Sequence, residues 1–259
     1  MYGYSLALLI FVVAPLIVVV PMSLTSGNTL AFPTPGYSLR WFAEIWADGR
    51  WLASFWNSIV VAVSTMLLST ILGIPAAIAL TWGNFPGKRI IYMIVAAPLI
   101  MPVVIVAVAS FFFFSSLGLA GNKLSIILTH TTMAAPVMLI TVVANLRNFD
   151  RTLLRASASL GAGKFRTFFK VLLPLIAPGV AAGGIIAFLI SFDEVVVASF
   201  LSVGEQRTLP RMIFSGVRES ISPAIAAVAL LLILFSTVLL VVVGFLQARS
   251  QKLRTKVLT

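Results

Sequence analysis

The chain has 259 residues, of which 60% are hydrophobic and 10% charged, against roughly 25% charged residues in a soluble domain. With a mean hydropathy of +1.11, it excludes a soluble globular domain and reads as an integral membrane protein. The formal net charge of +11 sits in loops beside apolar runs, where it suits anionic lipid headgroups and topology rather than nucleic acid; the absence of cysteine excludes disulfides and thiolate metal sites.

Six apolar stretches reach the roughly 20 residues needed to cross a hydrocarbon core. They lie near 4–22, 57–82, 90–115, 124–146, 174–200 and 224–246. Each is expected to be helical, because backbone groups in lipid must be satisfied within the segment. The fold class is therefore all-α, a polytopic membrane protein with six transmembrane helices in one domain, 1–259. The first stretch lacks the basic leader of a secretory signal and is expected to be a retained span.

An external segment, Ser23 to Trp56, follows. Pro33, Pro35 and Gly36 interrupt it. Leu39, Phe42, Ile45 and Trp46 then recur at helical spacing opposite Arg40, Glu44 and Asp48. With Trp41, Trp51 and Trp56 nearby, this predicts an amphipathic helix at the membrane surface. The third apolar stretch contains Pro98 and Pro102. The fourth holds His130, the single histidine, among Thr129, Thr131 and Thr132. A neutral imidazole hydrogen-bonded to a neighbouring helix is the expected state, because a lone histidine without acidic or cysteine companions makes no zinc site.

Between Arg147 and Leu172 stand six cations (Arg147, Arg151, Arg155, Lys164, Arg166 and Lys170) and a single acid, Asp150. Leu153, Leu154, Ala156, Ala158 and Leu160 suit a first short helix. Gly161 supplies a residue free to take positive φ, the usual way to end one. Phe165, Phe168, Phe169 and Leu172 suit a second, and Leu173-Pro174 with Pro178-Gly179 predict where the chain turns into the fifth span. Gly179-x-x-x-Gly183 gives that span a small-residue face for close helix approach. With both termini inside, twelve Lys and Arg residues fall on the cytoplasmic side and six outside, the distribution expected of such proteins.

Ser191-Phe192-Asp193-Glu194 interrupts the fifth apolar stretch. Ionised groups within a membrane are costly and face a pathway or an interior partner, or, toward the outer end of a span, form an interfacial pair that reaches water. Adjacent helical residues diverge by about 100°, so one carboxylate can face a passage while the other pairs with a cation or helps packing. Gly161-Ala162-Gly163-Lys164 is not a phosphate loop, since that motif requires Gly where Ala158 stands and Ser or Thr where Phe165 stands. No nucleophile elbow or metalloprotease helix is present either. The chain encodes no catalytic chemistry of its own.

Ala156-x-x-x-x-Gly161 followed by Leu173-Pro174 and Pro178-Gly179 resembles the EAA loop of the membrane subunits of binding-protein-dependent ABC importers. The family's leading Glu falls on Arg155 and its second Ala on Ser157. Tyr37–Phe42, Asn57-Ser58 and Ala76-Ala77-x-Ala79-Leu80 are similar to other parts of the same family. Phe192-Asp193-Glu194 with Thr208-Leu209-Pro210, Ile213-Phe214, Arg218 and Ser222-Pro223 resembles its polyamine, opine and phosphonate branch. Polyamine members show two acids at the Asp193-Glu194 positions, and an Asn where Ala226 stands here.

The resemblance implies the type I ABC importer permease fold and a permease subunit for a small polar solute, such as spermidine or putrescine. It implies a coupling loop that docks on a cytoplasmic ATPase through Arg155, Ala156, Ser157, Leu160, Gly161, Ala162, Phe165, Leu173 and Pro174. It implies a translocation pathway past Phe192, Asp193 and Glu194. This chain would bind no cofactor, ATP and Mg residing in the partner ATPase dimer. A second homologous permease, a solute-binding protein and membrane lipid would complete the assembly in the inner membrane. The alternatives are an importer for opine, amino acid or phosphonate, and a secondary transporter driven by an ion gradient through Asp193, Glu194 or His130. The inverted repeats common in secondary transporters are not evident in the sequence.

Overall fold

The computed structural model describes residues 2–219 and 221–258, the side chains of 2, 3, 6, 7, 9, 12, 15 and 246–258 excepted. The tail cations Arg249, Lys252, Arg254 and Lys256 thus lie outside the described side chains. Most of the described backbone is helical. Among the described residues the only β-pairing is two isolated bridges, Thr25 with Tyr37 and Gly121 with Ser202. The chain divides into two compact units, Met1–Ser58 with Val203–Val238, and Ile59–Ser202 with Leu239–Thr259.

The first unit holds α1 (Tyr2–Ser23), α2 (Arg40–Ala47), the start of α3 (Gly49–Trp82), α11 (Leu209–Glu219) and the first part of α12 (Pro223–Leu258). Trp41 and Ile45 of α2 are buried against Leu209, Ala224, Ala227 and Val228, with Phe42 half-buried beside them. Leu39 and Trp46, the other members of the expected apolar stripe, stay 69% and 66% exposed. The helix starts only at Arg40, and the Trp41 indole Nε1 donates to the Thr25 carbonyl at 2.9 Å. α3 begins eight residues earlier than its apolar run, so Trp51 and Trp56 lie on it rather than in a loop. Asn57 Nδ2 donates to the carbonyls of Glu205 (2.7 Å) and Arg207 (3.0 Å), and Ser58 Oγ accepts the Leu209 amide at 2.8 Å. The Asn57-Ser58 pair thereby fastens α3 to the entry of α11.

The second unit holds the rest of α3, α4 (Lys88–Ala96), α5 (Val103–Ser116), α6 (Lys123–Arg147), α7 (Thr152–Ser159), α8 (Lys164–Thr167), α9 (Leu173–Phe192) and α10 (Val196–Leu201). α6 and α9 form its centre. Gly179 and Gly183 allow their approach: a Cβ at Gly179 would overlap the Asn145 side chain, and one at Gly183 would stand 3.0 Å from Met138 Sδ. The small-residue face predicted for the fifth span thus packs as expected. Ile74, Ala77 and Leu80 of α3 join Met138, Leu139, Val142 and Leu146 of α6, with Leu172 and Ile176, in one buried cluster.

Among the described residues, four helical segments are long and apolar enough to span a membrane: Gly49–Trp82, Lys123–Arg147, Lys164–Phe192 and Pro223–Phe245. A fifth arises if Lys88–Leu99 and Val103–Ser116 are taken together. The third apolar stretch, expected over 90–115, is bent, for its halves meet at 100°. Pro98 sits in a 3₁₀ turn at Ala97–Leu99, and Pro102 adopts ψ 127° before α5 begins. Proline removes an amide donor and biases its predecessor away from helix, which breaks the run here.

The entry to the fifth span is corrected. The chain does not turn at Leu173-Pro174; helix runs on from Lys164 to Phe192. A π-helical turn over Phe168–Leu172 makes this possible, with the Leu173 amide bonded to the Phe168 carbonyl five residues back. The widened turn gives room for the Pro174 ring, which would clash inside a regular α turn.

Candidate functional site: an exposed helical hairpin and a buried polar break

Two regions of the second unit carry the chemistry. The first is the basic hairpin. Asp150 starts it: Oδ1 accepts the Thr152 amide at 2.9 Å and Oδ2 accepts the Thr152 hydroxyl at 2.6 Å. These bonds, the hydroxyl's first, hold the Asp150 carboxyl below the usual carboxylate range. α7 ends at Gly161, whose φ is +80°. The Gly161 amide bonds the Ala158 carbonyl at 2.9 Å and the Ala162 amide bonds the Ser157 carbonyl at 3.1 Å. This is the paired closure of a helix by a left-handed glycine, as the sequence predicts. The Ser157 and Thr167 hydroxyls meet at 2.9 Å and tie α7 to α8.

The hairpin presents its side chains outward. Arg155, Ala156, Gly161 and Pro174 are exposed, Leu160 and Phe165 extremely so at 88% and 83%. Ser157, Ala162 and Leu173 are half-buried. Phe165 stacks on Phe169, itself 55% exposed, with ring centroids 6.4 Å apart. Arg151, Leu154, Arg155 and Ala158 line a recess of about 410 Å³ on the same helix. At the hairpin base, the Arg151 guanidinium lies 5.4 Å from the Trp82 ring, and Trp82 packs on Phe149 at 5.7 Å. Lys88 Nζ donates to the Thr81 and Gly83 carbonyls at 3.3 and 3.0 Å, closing the end of α3.

The second region is the break between α9 and α10. The acids lie not within the fifth span, as the sequence suggests, but just past its end, with Asp193 capping α9. Phe192 is buried at 1% exposure and stacks on Phe188. Asp193 is exposed. Glu194 turns inward, its carboxylate accepting the Val196 amide at 2.8 Å and the Ala198 amide at 3.1 Å. Its Oε2 lies 3.4 Å from Nε2 of the buried His130. His130 Nδ1 is 2.8 Å from Ser191 Oγ, which donates to Thr65 Oγ1 at 3.2 Å. The expected divergence of the two carboxylates is realised. His130 binds a neighbouring helix, as predicted; Thr65, reached through Ser191, stands one helical turn before Ser69, and both hydroxyl residues are buried, a spacing that the sequence reading did not use. Among the described residues no group of three or more His, Asp or Glu residues could hold a metal ion.

Comparison with known proteins places this geometry. Residues 69–252 match the family described as binding-protein-dependent transport system inner membrane component. The putrescine transport system permease protein PotI of Escherichia coli K12 is 32% identical over 253 residues, covering 95% of this chain and 90% of its own. The spermidine/putrescine transport system permease protein PotC of the same organism is 29% identical, covering 88% and 86%. The diacetylchitobiose uptake system permease protein NgcG of Streptomyces coelicolor is 31% identical over 76% of this chain and 67% of its own. Among solved structures, a bacterial ABC transporter involved in alginate import superposes with a TM-score of 0.70 at 18% identity, covering 94% of this chain and 95% of that one. The MetNI methionine ABC transporter gives 0.57 at 19% identity, covering 80% and 95%. The chain belongs to the family of inner membrane components of binding-protein-dependent transport systems, as an ABC importer permease subunit.

Proposed function

We propose that this permease carries a polyamine of the putrescine or spermidine type. The observation that carries the assignment is the similarity to the putrescine permease along 95% of the chain. The exposed Asp193 at the end of α9 supports it, because a carboxylate there favours a cationic solute. In this reading a solute-binding protein delivers the polyamine from outside, and a second homologous permease shares the passage. An ATPase dimer holding ATP and Mg docks on the α7–α8 hairpin through Arg155, Ala156, Ser157, Leu160, Gly161, Ala162 and Phe165, with Leu173 and Pro174 passing its motion on to α9. The chain would form one permease domain of six spans, counting α1 and the bent α4–α5 pair, with both termini cytoplasmic.

Isotope-labelled putrescine uptake, in proteoliposomes holding this permease, its partner permease, the ATPase and the binding protein, tests the assignment. ATP-dependent uptake competed by spermidine supports it. Uptake that persists without ATP and collapses with an uncoupler would return the ion-driven transporter. The similarity to a diacetylchitobiose permease favours a second reading, in which the cargo is a neutral oligosaccharide. Competition by diacetylchitobiose but not by spermidine would select it.

A further inference from the structure

The two adjacent acids at the α9–α10 break are equivalent in the sequence and opposite in the fold. Glu194 has its side chain 8% exposed. Both its oxygens are engaged, Oε1 by the Val196 amide and Oε2 by the Ala198 amide with His130 Nε2 beside it. A substrate cation could reach that carboxylate only by displacing bonds that start α10 and by stranding His130, whose ring is fully buried. Asp193 is exposed, and its carboxylate makes no hydrogen bond or ion pair among the described residues. Its amide alone is used, closing α9 on the Leu189 carbonyl at 3.0 Å.

What Glu194 fixes is the position of α10. Val197 and Leu201 of that helix are wholly buried with Val61 of α3, Ala107 and Phe114 of α5, and Ile126 of α6. Its far end is held where Ser202 bridges Gly121. At its near end Glu194 joins His130 of α6, and His130 joins Ser191 of α9, which joins Thr65 of α3. Four helices thus meet at one carboxylate, and the residue beside it is the free acid.

We propose that Glu194 is a positioning residue that locks α10 to α3, α6 and α9, and that Asp193 alone of the two acids meets the transported cation. The second half rests on the polyamine reading; the first half does not. Because the chain has no cysteine, Val197→Cys introduces a single thiol at a fully buried position of α10. In the full-length permease this thiol is expected to react slowly with a maleimide. Glu194→Ala is expected to raise its labelling rate at least about tenfold, the effect of losing one charge-assisted hydrogen bond. Glu194→Gln keeps an acceptor for an α10 amide and is expected to stay within about threefold. Asp193→Asn should leave labelling unchanged while raising the half-saturating putrescine concentration about tenfold at unchanged maximal rate.

Unchanged labelling in Glu194→Ala would overturn the lock. Should that variant fail to insert, His130→Asn decides in its place, and unchanged labelling there overturns the lock equally. A Glu194→Gln variant that weakens putrescine binding as Asp193→Asn does, with the thiol still protected, would make Glu194 a substrate contact. If the unsubstituted permease takes up no putrescine, the polyamine reading and Asp193's part in it fail, while the labelling still decides the role of Glu194.

Discussion

The α7–α8 hairpin and the α9–α10 break are both places where one helix ends and another begins, and they are closed by opposite means. The hairpin closes locally. Its glycine takes φ +80°, its amides bond carbonyls three and five residues back, and its one acid serves the amide two residues on. The break has no glycine. Asp193 stays at φ −92°, and the start of α10 is satisfied by a side chain that also leans on a histidine from a different helix. A junction closed locally can move as a rigid body while exposing Leu160 and Phe165 to a partner. A junction closed by distant helices moves only when they move. The first design suits a lever, the second a latch within the bundle.

The largest expected effect breaks the buried junction. Glu194→Ala removes two amide acceptors and leaves His130 facing no charge. A buried donor left without its acceptor costs roughly 1–3 kcal/mol, and two amides lose theirs here, so this variant should show the greatest fall in melting temperature of the purified permease. A melting temperature equal to the parent's would mean that the break, like the hairpin, is closed without help from other helices.

Gly161→Val comes next and should separate the two regions by kind of defect. A β-branched residue is strained at φ +80°, with a cost of about 2 kcal/mol confined to the hairpin. The variant should insert and melt near the parent temperature, yet lose ATPase recovery on gentle detergent extraction and lose ATP-driven uptake. Gly161→Asn tolerates the left-handed region and should restore both. Full uptake by the valine variant would remove the hairpin from the coupling path.

The hairpin was the more legible region for the same reason that it is self-contained. Gly161, the spacing of Phe165, Phe168 and Phe169, and the cluster of cations are all local signals. The π-helical turn at Phe168–Leu172 was not legible, because a proline in sequence does not say whether a helix stops before it or widens around it. Pro98 and Pro102 mark the third apolar stretch, but their 100° bend depends on what the two halves pack against. Trp41, whose indole donates to Thr25, is buried with Ile45, although the spacing of the apolar residues left it off the stripe. The Glu194 network was least legible. Its partners sit on α3, α6 and α9, and only the α6–α9 approach over Gly179 and Gly183 brings them together.

A smaller effect sharpens the local character of the hairpin. Ser157→Ala deletes the hydroxyl pair with Thr167, a net loss of about 1 kcal/mol. Because Ser157 is half-buried and keeps its carbonyl bond to the Ala162 amide, the turn itself should survive. The expected result is faster hydrogen exchange across α7 and α8 with no change in α10. Altered exchange in α10 would show that the two junctions are coupled more tightly than their separate bonding suggests.

The smallest effect is a pH response at the first turn of α7. Asp150 accepts from Thr152 with both oxygens as a carboxylate and with fewer and weaker bonds once protonated, and those bonds hold its folded value below the ordinary one. For a depressed acid the stabilisation is fully present above the unfolded value, about 3.9, and disappears as pH falls through the lower, folded value. Asp150 is exposed and next to Arg151, so salt and solvent screen the effect and it stays within α7. Exchange protection of the α7 amides, corrected for intrinsic rate and referred to α9, should therefore hold through neutral pH and decline only below about 4. Asp150→Asn should remove the decline while keeping part of the protection, since an amide oxygen still accepts from Thr152. If the parent's decline sets in above the ordinary carboxylate value, the group responsible is not Asp150, and the start of α7 is held by something other than its local cap.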